Sequence, residues 1–395
     1  MQRLNVSVSP RLLDAIHASV ADDRVSSPKL LQSVAELSRV FTKERDRLSV
    51  SYLDNSQLAR AYLQYFLPVN LAKIQLLLTE MPPPEADRSF SVLDLGSGPG
   101  TGALAVLDWW HQQASSYALS VSAIDGSTAA LGQARQLWDR YSRSTVLREG
   151  GLHTYELDLE QRAVLEHVRQ HGPFDLILVA NCLNELYANS QDPIEMRASL
   201  VTEALSLMAS NGTMMIIEPA LRDTSRALHQ VRDKLLQEKR CTVFSPCLHE
   251  NDCPAMINLH DWCHEERMWD PPAVIKEIDE QVGFIKDALK FSYLLLRKDG
   301  KTIVERHPDV YRVVSELREM KGEKRAWLCN EQGRQEIGRQ DRLASTQNQA
   351  FDQCHRGAIV QIEKIVHKER GGKVSTLGRI EQDVAVQIVR PTGLF

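Results

Sequence analysis

The stretch that most constrains the fold is Val92-Leu-Asp-Leu-Gly-Ser-Gly-Pro-Gly-Thr-Gly102, an apolar run that leads into alternating glycines. A short apolar run of this kind predicts a buried strand. Gly96, Gly98 and Gly100 allow a sharp turn and a close approach of the backbone to a ligand, which side chains would block. The stretch therefore predicts the first strand, loop and helix of an α/β fold that binds a nucleotide-like ligand.

Short apolar runs continue after this stretch and alternate with amphipathic helical segments. The alternation predicts a mostly parallel sheet with helices on both faces, so we assign residues 85–298 to one α/β domain. The predicted strands lie near residues 91–95, 119–124, 153–157, 174–180, 213–218, 242–244 and 291–296.

The preceding residues 1–84 are predicted to form a helical region, to which we assign no chemistry. Ser26-Ser27-Pro28 is typical of a helix start, and apolar residues follow it at helical spacing. A second helix is expected after Asp54-Asn55, and Pro68 is expected to interrupt it. Pro82-Pro83-Pro84 predicts a stiff linker to the α/β domain.

Residues 299–395 are predicted to form a small β-rich domain, because strands and turn residues replace the helical periodicity. The strands are expected at 311–317, 325–329, 359–366 and 384–389, with turns at Lys321-Gly-Glu-Lys, Asn330-Glu-Gln-Gly and Gly371-Gly372. From residue 300 onward the chain holds 17 Lys and Arg against 13 Asp and Glu, whereas the whole chain has a net charge of -5. Contact with a polyanion would therefore favour this domain.

Acidic residues at predicted strand ends help to choose the cofactor. Asp94 lies two residues before the first glycine, where a carboxylate can face a ligand ammonium group or its water. Asp125 ends the second strand, where it can accept hydrogen bonds from both ribose hydroxyls, and Asp158 ends the third strand, near an adenine amine. This arrangement favours S-adenosylmethionine, although Gly98-Pro-Gly-Thr-Gly-Ala103 also fits a dinucleotide pattern. Asp125 and Asp158 also suit helix caps or turns.

The glycine loop and the acidic strand ends together resemble the class I methyltransferase family over roughly residues 85–298. The resemblance implies a Rossmann-like core that binds S-adenosylmethionine. The candidate cofactor-binding residues are Asp94, Gly96, Ser97, Gly98, Gly100, Thr101, Asp125, Asp158 and Asn181.

The sequence does not assign catalytic residues. The fourth strand is followed by Asn181-Cys-Leu-Asn-Glu-Leu-Tyr187, which lacks the Asn or Asp, two prolines and aromatic residue usual in class I enzymes that act on exocyclic amines. Cys182 also lacks the Pro-Cys and Thr-Cys pair of cytosine-carbon enzymes, so a small buried thiol is expected there. Asn181, Asn184 and Glu185 are the candidates, and they suit either a methyl-transfer pocket or a helix cap.

The cysteines predict a metal site. The chain has seven, an odd number, and no export signal, which argues against a disulfide scaffold. Cys247, Cys253 and Cys263 fall within 17 residues of an insertion spanning 245–270. Their spacing matches neither common zinc sites nor the ferredoxin run, and thiolates bind zinc and iron–sulfur clusters alike. The fourth ligand is expected among His249, His260, His264 and Cys329, whereas Cys241 lies in a strand and Cys354 lies on a polar helix.

The Pro-Cys, Cys-Pro and Trp-Cys-His segments of the insertion, with Asn-Cys-Leu-Asn-Glu-Leu and the glycine loop, resemble the methyltransferase-like small-subunit ribosome assembly family of mitochondria and its bacterial relatives. The resemblance covers at least residues 50–360. It implies a [4Fe-4S] cluster on Cys247, Cys253, Cys263 and Cys329, which would tie the β-rich domain to the core. It also implies contact with small-subunit rRNA. Glu265 departs from the aromatic residue expected at that position.

The chain carries no sequence signal for a membrane or for export. No apolar run reaches the roughly 18 residues of a membrane helix, and the N-terminus lacks the layout of a secretory signal. Asp14, Asp22 and Asp23 argue against a mitochondrial presequence. We therefore expect no membrane association and a bacterial cytoplasmic protein, with the mitochondrial matrix as the alternative. The oligomeric state is open, with a monomer as the expectation.

Three functions remain open from the sequence. The first is an assembly factor that binds rRNA and holds S-adenosylmethionine and the cluster. The second is an active rRNA methyltransferase, and the third is a small-molecule or protein methyltransferase with a zinc-stapled insertion. Basic residues of the C-terminal domain suit either RNA phosphates or a solvated surface: Lys321, Lys324, Arg325, Arg334, Arg339, Arg342, Arg356, Lys364, Lys368, Arg370 and Lys373.

Overall fold

The computed structural model describes residues 8–20, 27–45, 52–85, 88–113, 117–143, 150–370 and 372–392. The described part begins with the helices α1 (Pro10–Ser19), α2 (Pro28–Thr42), α3 (Ser56–Ala61) and α4 (Leu67–Leu78). The hydroxyl of Ser27 accepts a hydrogen bond from the Leu30 amide, so α2 begins as its sequence predicts. Ser26, the first residue of that predicted cap, lies outside the described residues.

The helix interruption expected at Pro68 is wrong. A π-helical segment, Tyr62–Phe66, joins α3 directly to α4, so one helical run continues from Ser56 to Leu78. Pro68 is the second residue of α4 and directly follows the π-helical segment. The wider π-helical turn accommodates the proline ring, which has no N–H to bond to the preceding turn. The change of helix type just before the proline therefore removes the conflict that the sequence predicted.

The α/β part alternates strands and helices. Its elements are β1 (Phe90–Leu95), α5 (Thr101–Gln112), β2 (Leu119–Asp125), α6 (Thr128–Ser142), β3 (Gly150–Glu156), β4 (Phe174–Ala180), α7 (Pro193–Leu207), β5 (Met208–Pro219), α8 (Arg222–Gln237), β6 (Thr242–Ser245), β7 (Glu265–Met268), α9 (Ala273–Val282) and β8 (Ala288–Arg297). The strand order is β3-β2-β1-β4-β5-β8-β6, and β7 also pairs with β8. Strands β1 to β5 are parallel, and β8 is antiparallel to β5, β6 and β7. The predicted Rossmann-like core of the class I methyltransferase type is confirmed.

The strand order reverses between β1 and β4, which are neighbours in the sheet but are separated in the sequence by β2 and β3. In open α/β sheets, ligands bind at the carboxyl ends of the strands beside such a reversal. The glycine loop follows β1 and the Asn181 segment follows β4, so both lie at this edge.

Apolar side chains cover both faces of this sheet. One core contains residues of α1 to α6 and α9 with one face of the sheet, including the fully buried Leu12 and Leu71. The other core packs α7 and α8 against the opposite face, with Val201 and Val231 buried. The N-terminal helices therefore share a core with the α/β part. The predicted limits of the regions, at 84/85 and 298/299, stay predictions.

The C-terminal region forms a second sheet from β9 (Val310–Val313), β10 (Arg318–Met320), β11 (Glu323–Asn330), β12 (Gly333–Gln340), β13 (Ile359–Ile362), β14 (Val366–Arg370), β15 (Lys373–Arg379) and β16 (Val386–Arg390). The order is β14-β15-β12-β11-β9-β13-β16, with β10 on β11. Tyr311, Ile337 and Phe351 are buried in its separate core. The strand-rich character predicted for this region is confirmed.

One strand prediction in this region is wrong, and β10, β12 and β15 were not predicted. The single strand expected at 359–366 is two strands, because Glu363 and Lys364 are exposed and end the buried alternation. Strand β12 was not predicted, because Ile337 is its one aliphatic residue. It forms because it pairs along its whole length with β11. Gly371 of the predicted Gly371-Gly372 turn lies outside the described residues.

A buried ionic network joins the N-terminal helices, the first sheet and the second sheet. We call Glu80, Glu265, Arg267, Tyr293 and Arg312 the Glu80 network. Glu80 accepts hydrogen bonds from the Tyr293 hydroxyl at 2.8 Å and from Arg267 at 3.2 Å. Arg312 of β9 donates to Glu265 at 3.1 Å and to the Tyr293 hydroxyl at 3.0 Å. Each of these charges is compensated inside the protein, which buried charges require.

Burial alone raises the pKa of Glu80, but Arg312, Arg267 and the hydroxyls of Tyr293 and Ser245 together hold that pKa below its ordinary value. A carboxyl group with a lowered pKa in the folded state stabilises the fold at neutral pH. This contribution is present above the unfolded-state pKa and is lost as the pH falls through the folded-state pKa.

Replacing Glu80 with Gln should lower the free energy of unfolding at pH 7 by about 3 kcal/mol, because two buried arginines lose a charge partner. The difference from wild type should shrink as the pH falls below about 4, where wild-type Glu80 also becomes neutral. Denaturant unfolding across this pH range measures both effects. Lys276→Ala is the control, since it breaks an exposed 2.8 Å pair with Asp270 and should change little. Equal effects of the two changes would contradict the prediction.

Candidate functional sites

The glycine loop is shaped by close contacts that exclude side chains. Gly96, Gly98 and Gly100 have φ angles of +67°, +53° and +86°, a region that favours glycine. A Cβ atom on Gly96 would lie 2.2 Å from Cys182 Sγ, and one on Gly100 would lie 2.9 Å from Ala134 Cβ. The loop is therefore packed tightly between the end of β4 and helix α6.

Asp125 fixes this loop from the end of β2. Its two carboxylate oxygens accept hydrogen bonds from the Gly98 amide at 2.8 Å and the Ser127 amide at 2.9 Å. Burial raises the pKa of Asp125, and the two amides oppose that shift. A carboxylate has about four acceptor positions, so Asp125 retains capacity for further donors after binding both amides.

Asp94 lies beneath helix α5 and is 1% exposed. One carboxylate oxygen accepts a hydrogen bond from the Ala103 amide at 3.0 Å, and a Cβ atom on Gly102 would lie 2.5 Å from the carboxylate. Burial raises the pKa of Asp94 to about 7. In this arrangement its carboxylate holds the first turn of α5 and does not lie on the open surface of the cleft.

The other predicted cofactor residues lie around the same edge. Ser97 is buried, and its amide donates to Ile124 O at 3.0 Å. The Thr101 hydroxyl lies 3.5 Å from that of Tyr62. Asp158 is exposed beyond β3 and accepts a hydrogen bond from the Glu160 amide at 2.9 Å, which is the turn role that the sequence left open.

The segment after β4 brings several polar groups to the cleft. Asn181 has a left-handed φ of +57°, which is uncommon for a residue other than glycine, and its amide donates to Ile217 O at 2.7 Å. Asn184 donates through its side-chain amide to Glu218, the last acidic residue of β5. Burial raises the pKa of Glu218 to about 8 and that of Glu185 to about 7. The side chain of Glu185 nevertheless has a surface exposed to solvent.

The N-terminal region also supplies residues that the sequence analysis did not connect with this site. Arg45 donates to the Asn184 side-chain oxygen. Tyr52 and Tyr62 lie near Glu185 and Asp125, and burial raises the pKa of both hydroxyls. The sequence signal that could have predicted a packed surface here is a set of four aromatic residues, Phe41, Tyr52, Tyr62 and Phe66. Their contact with the cleft depends on tertiary structure.

A second site is a cavity bordered by Cys247, Cys253, Cys263 and Cys329, which we call the thiol cavity. It encloses about 460 Å³ between atoms, and part of this space is open to solvent. The first three cysteines come from the β6–β8 connection and the fourth comes from β11. Burial is the largest cause of the raised pKa of each thiol. The structure thus brings together all four residues of the predicted metal site.

The remaining candidate histidines and Cys354 differ in their position relative to the cavity. His249 lines the cavity, with Nε2 3.7 Å from Cys329 Sγ, and burial lowers its pKa to about 4. His260 is exposed, and neither it nor His264 borders the cavity. Cys354, expected on a polar helix, is instead fully buried in the core of the second sheet.

Among the described residues, no group of three or more His, Cys, Asp or Glu side chains is arranged to hold a metal ion. The four thiols therefore border a shared space without converging on one atom-sized point. Glu265 and Arg312 of the Glu80 network line the same cavity, so the position where the sequence lacks its expected aromatic residue is part of that wall.

Three arginines lie in or near the wall of the thiol cavity, and one nitrogen atom of each has no acceptor in the described part of the chain. Arg312 and Arg334 line the cavity, and Arg232 lies close enough for its charge to lower the pKa of Cys247 and Cys253 against the larger raising effect of burial. The Nε atoms of all three arginines are buried and have no hydrogen-bond partner among the described residues. A buried donor without a partner carries an energetic cost, which an acceptor bound beside it would remove.

The basic residues of the second sheet are mostly paired. Lys324, Arg325, Arg334, Arg339 and Arg356 each form an ion pair with a carboxylate. Exposed basic residues are also present at Lys321, Arg342, Lys364 and Lys368. The side chains of Arg370 and Lys373 lie outside the described ones. The paired residues stabilise the sheet itself. The candidates for RNA contact are therefore the exposed basic residues.

No helix in the described part of the chain is long and apolar enough to cross a membrane. A comparison of the sequence with curated proteins gives no significant match.

Several solved structures resemble parts of the chain. A methyltransferase from Pyrococcus furiosus is 13% identical, with a TM-score of 0.33 and coverage of 58% of this chain and 82% of that chain. A putative S-adenosyl-L-methionine-dependent methyltransferase from Methanococcus maripaludis is 11% identical, with a TM-score of 0.32 and coverage of 66% and 97%. A chain of a fibrillarin/Nop5p complex is 10% identical, with a TM-score of 0.32 and coverage of 57% and 80%. These scores are low, so the fold assignment rests on the strand order.

A family comparison identifies the chain more specifically. The profile described as mitochondrial small ribosomal subunit Rsm22 matches residues 56–345, which is well over half of the 395 residues. The match confirms the small-subunit part of the resemblance seen in the sequence. The chain therefore belongs to the mitochondrial small ribosomal subunit Rsm22 family.

Proposed function

We propose that this protein is an assembly factor for the small ribosomal subunit that binds rRNA, holds S-adenosylmethionine in the cleft and carries a [4Fe-4S] cluster in the thiol cavity. Family membership supports the small-subunit part. The observation that carries the cluster part is the single cavity bordered by Cys247, Cys253, Cys263 and Cys329.

The donor set of the thiol cavity suits a cluster. Thiolates are soft ligands for iron–sulfur clusters and for zinc. The four thiols border one space of about 460 Å³, which suits a group of several atoms. A bound cluster would supply a covalent link between the insertion and β11.

The cleft suits S-adenosylmethionine. Asp125 has acceptor positions left for ribose hydroxyls. The backbone at Gly98 leaves room for close approach of a ligand, since nothing lies within 4 Å of where its Cβ atom would be. The carboxylate of Glu185 and the ring of Tyr52 lie beside this edge and suit a cationic sulfonium ligand. The cofactor supplies an electrophilic methyl group when bound.

The rRNA contact is proposed for the second sheet, through the exposed residues Lys321, Arg342, Lys364 and Lys368. The family description supports the mitochondrial matrix as the compartment, in preference to the bacterial cytoplasm expected from the sequence. A monomer remains the expected oligomeric state.

Methyl transfer to rRNA is a second candidate function, favoured by Glu185. Burial raises its pKa to about 7, which suits a general base near neutral pH. Its exposed surface in the cleft gives it access to a substrate. The pocket would otherwise act mainly by orienting the nucleophile toward the methyl group.

Replacing Asp125 with Asn should raise the dissociation constant for S-adenosylmethionine by roughly 10- to 100-fold, because a charged hydrogen-bond acceptor is lost. Isothermal titration calorimetry measures the change. Asp175→Asn is the matched control, since Asp175 lies at the opposite end of the same sheet, where it pairs with Arg88 at 2.5 Å. The assignment of the cleft is wrong if both variants bind the cofactor as wild type does.

Anaerobically purified wild-type protein should contain iron and acid-labile sulfide in equal amounts. Replacing Cys329 with Ser should remove both and lower the thermal stability, because one thiolate and the link to β11 are lost. Cys354→Ser is the control, as that thiol is buried in the second sheet's core away from the cavity. Zinc without sulfide in the wild type would replace the cluster assignment with the zinc-stapled alternative.

Wild-type protein should co-sediment with immature small subunits at moderate salt and should transfer no methyl group to them. Radiolabelled S-adenosylmethionine measures transfer by the wild type, Asp125→Asn and Glu185→Gln. Turnover that is lost in both variants, and that rises with pH through about 7 in the wild type, would establish the methyltransferase instead. Absence of small-subunit binding would favour a small-molecule or protein substrate.

A further inference from the structure

Arg232 of α8 is the largest fully buried side chain of the described residues, with none of its surface exposed. It forms an ion pair with Asp233, whose side chain is 15% exposed. Its Nε atom has no hydrogen-bond partner among the described residues. A guanidinium group this deep in the protein requires nearby negative charge, and Asp233 supplies only one partly solvated carboxylate.

The Arg232–Asp233 pair clamps the turn between the first two cysteines of the thiol cavity. Arg232 donates to the backbone oxygens of His249 at 2.8 Å and Asn251 at 3.0 Å. Asp233 accepts a hydrogen bond from the Cys253 amide at 3.1 Å. One helical turn of α8 thus holds the backbone from His249 to Cys253, which sets the positions of Cys247 and Cys253 relative to each other.

The guanidinium of Arg232 is also placed to act on these two thiols through its charge, because it is fully buried and bonded to the turn that joins Cys247 to Cys253. The attraction between opposite charges is stronger in the protein interior than in water. A thiolate at either end of this turn would therefore be stabilised by the buried guanidinium.

We propose that Arg232 is a positioning residue of the thiol cavity, which supplies the buried positive charge that stabilises the anionic thiolate ligands while it clamps the Cys247–Cys253 turn. This inference rests on the proposed function for the identity of the bound group. It assigns to one residue two separable roles, a charge and a two-pronged hydrogen-bond contact. Lysine can supply the first role but not the planar fork of the second.

Arg226, six residues before Arg232 in α8, is a matched control for the clamp role of Arg232. Its guanidinium donates to the backbone oxygens of Ala255, Asn258 and Asp261 at 3.2, 2.9 and 2.8 Å. It thus holds the next part of the insertion through carbonyl groups, as Arg232 holds the first part. Arg226 is only partly buried, whereas Arg232 is fully buried.

The test uses the anaerobically purified full chain as wild type, Arg232→Lys, Arg232→Gln and Arg226→Gln. Circular dichroism and size-exclusion chromatography first establish that each variant is folded. Iron and sulfide content test the proposed function. Spectroelectrochemical titration with dithionite as the reductant then measures the midpoint potential of the one-electron reduction, and chelator challenge measures the rate of iron loss.

Loss of the buried positive charge should disfavour the more negative, reduced cluster. We expect Arg232→Gln to lower the equilibrium constant for one-electron reduction about tenfold. This change corresponds to a midpoint potential that is about 59 mV more negative. Arg232→Lys should keep the wild-type potential but lose iron faster, because the clamp is broken. Arg226→Gln should keep the potential.

Equal potentials in Arg232→Gln and wild type would overturn the charge role, and so would an equal shift in Arg226→Gln. If Arg232→Gln does not fold, Arg232→Lys decides the clamp role through its rate of iron loss, and an unchanged rate would overturn it. If the wild-type protein holds zinc without sulfide, the cluster is refuted, but the role of Arg232 at the thiol cavity can still be tested. In that case Arg232→Gln must release zinc to a chelator faster than Arg226→Gln does, and equal rates would overturn the inference.

Discussion

The structure depends on keeping its buried charges paired. Glu80, from the end of the N-terminal helices, and Glu265, from the insertion, share the guanidinium groups of Arg267 and Arg312. These residues come from three separate parts of the sequence. Glu265 and Arg267 pair within β7, but Glu80 and Arg312 find their charge partners only in another part of the chain. An unpaired buried charge costs several kcal/mol, which is a large fraction of the stability of a domain. The parts must therefore fold against one another.

Helix α8 connects the two candidate sites. It begins just after Glu218, which accepts a hydrogen bond from Asn184 at the cleft, and its later turns carry Arg226 and Arg232 to the insertion. The cleft and the thiol cavity therefore share one rigid element.

The parts of the fold that the sequence predicted are those set by local pattern. The glycine loop, the alternating strands and helices and the cysteine spacing all follow from residues close in sequence. The role of Glu265 could not be predicted, because it depends on Arg312, which lies 47 residues away. Strand β12 was missed for a similar reason, since it is stabilised by pairing with β11 and not by its own apolar content. The contacts of Arg45 and Tyr52 with the cleft also appear only when distant segments pack.

The position of Cys329 has a consequence for the order in which the protein is made. Three thiols of the cavity belong to the insertion, but the fourth lies on β11, which pairs with β9 and β12 of the second sheet. During synthesis the three thiols of the insertion leave the ribosome before Cys329 does. The cavity closes only when the second sheet has formed. A chain that ends before residue 329 therefore lacks the fourth thiol and the strand that carries it.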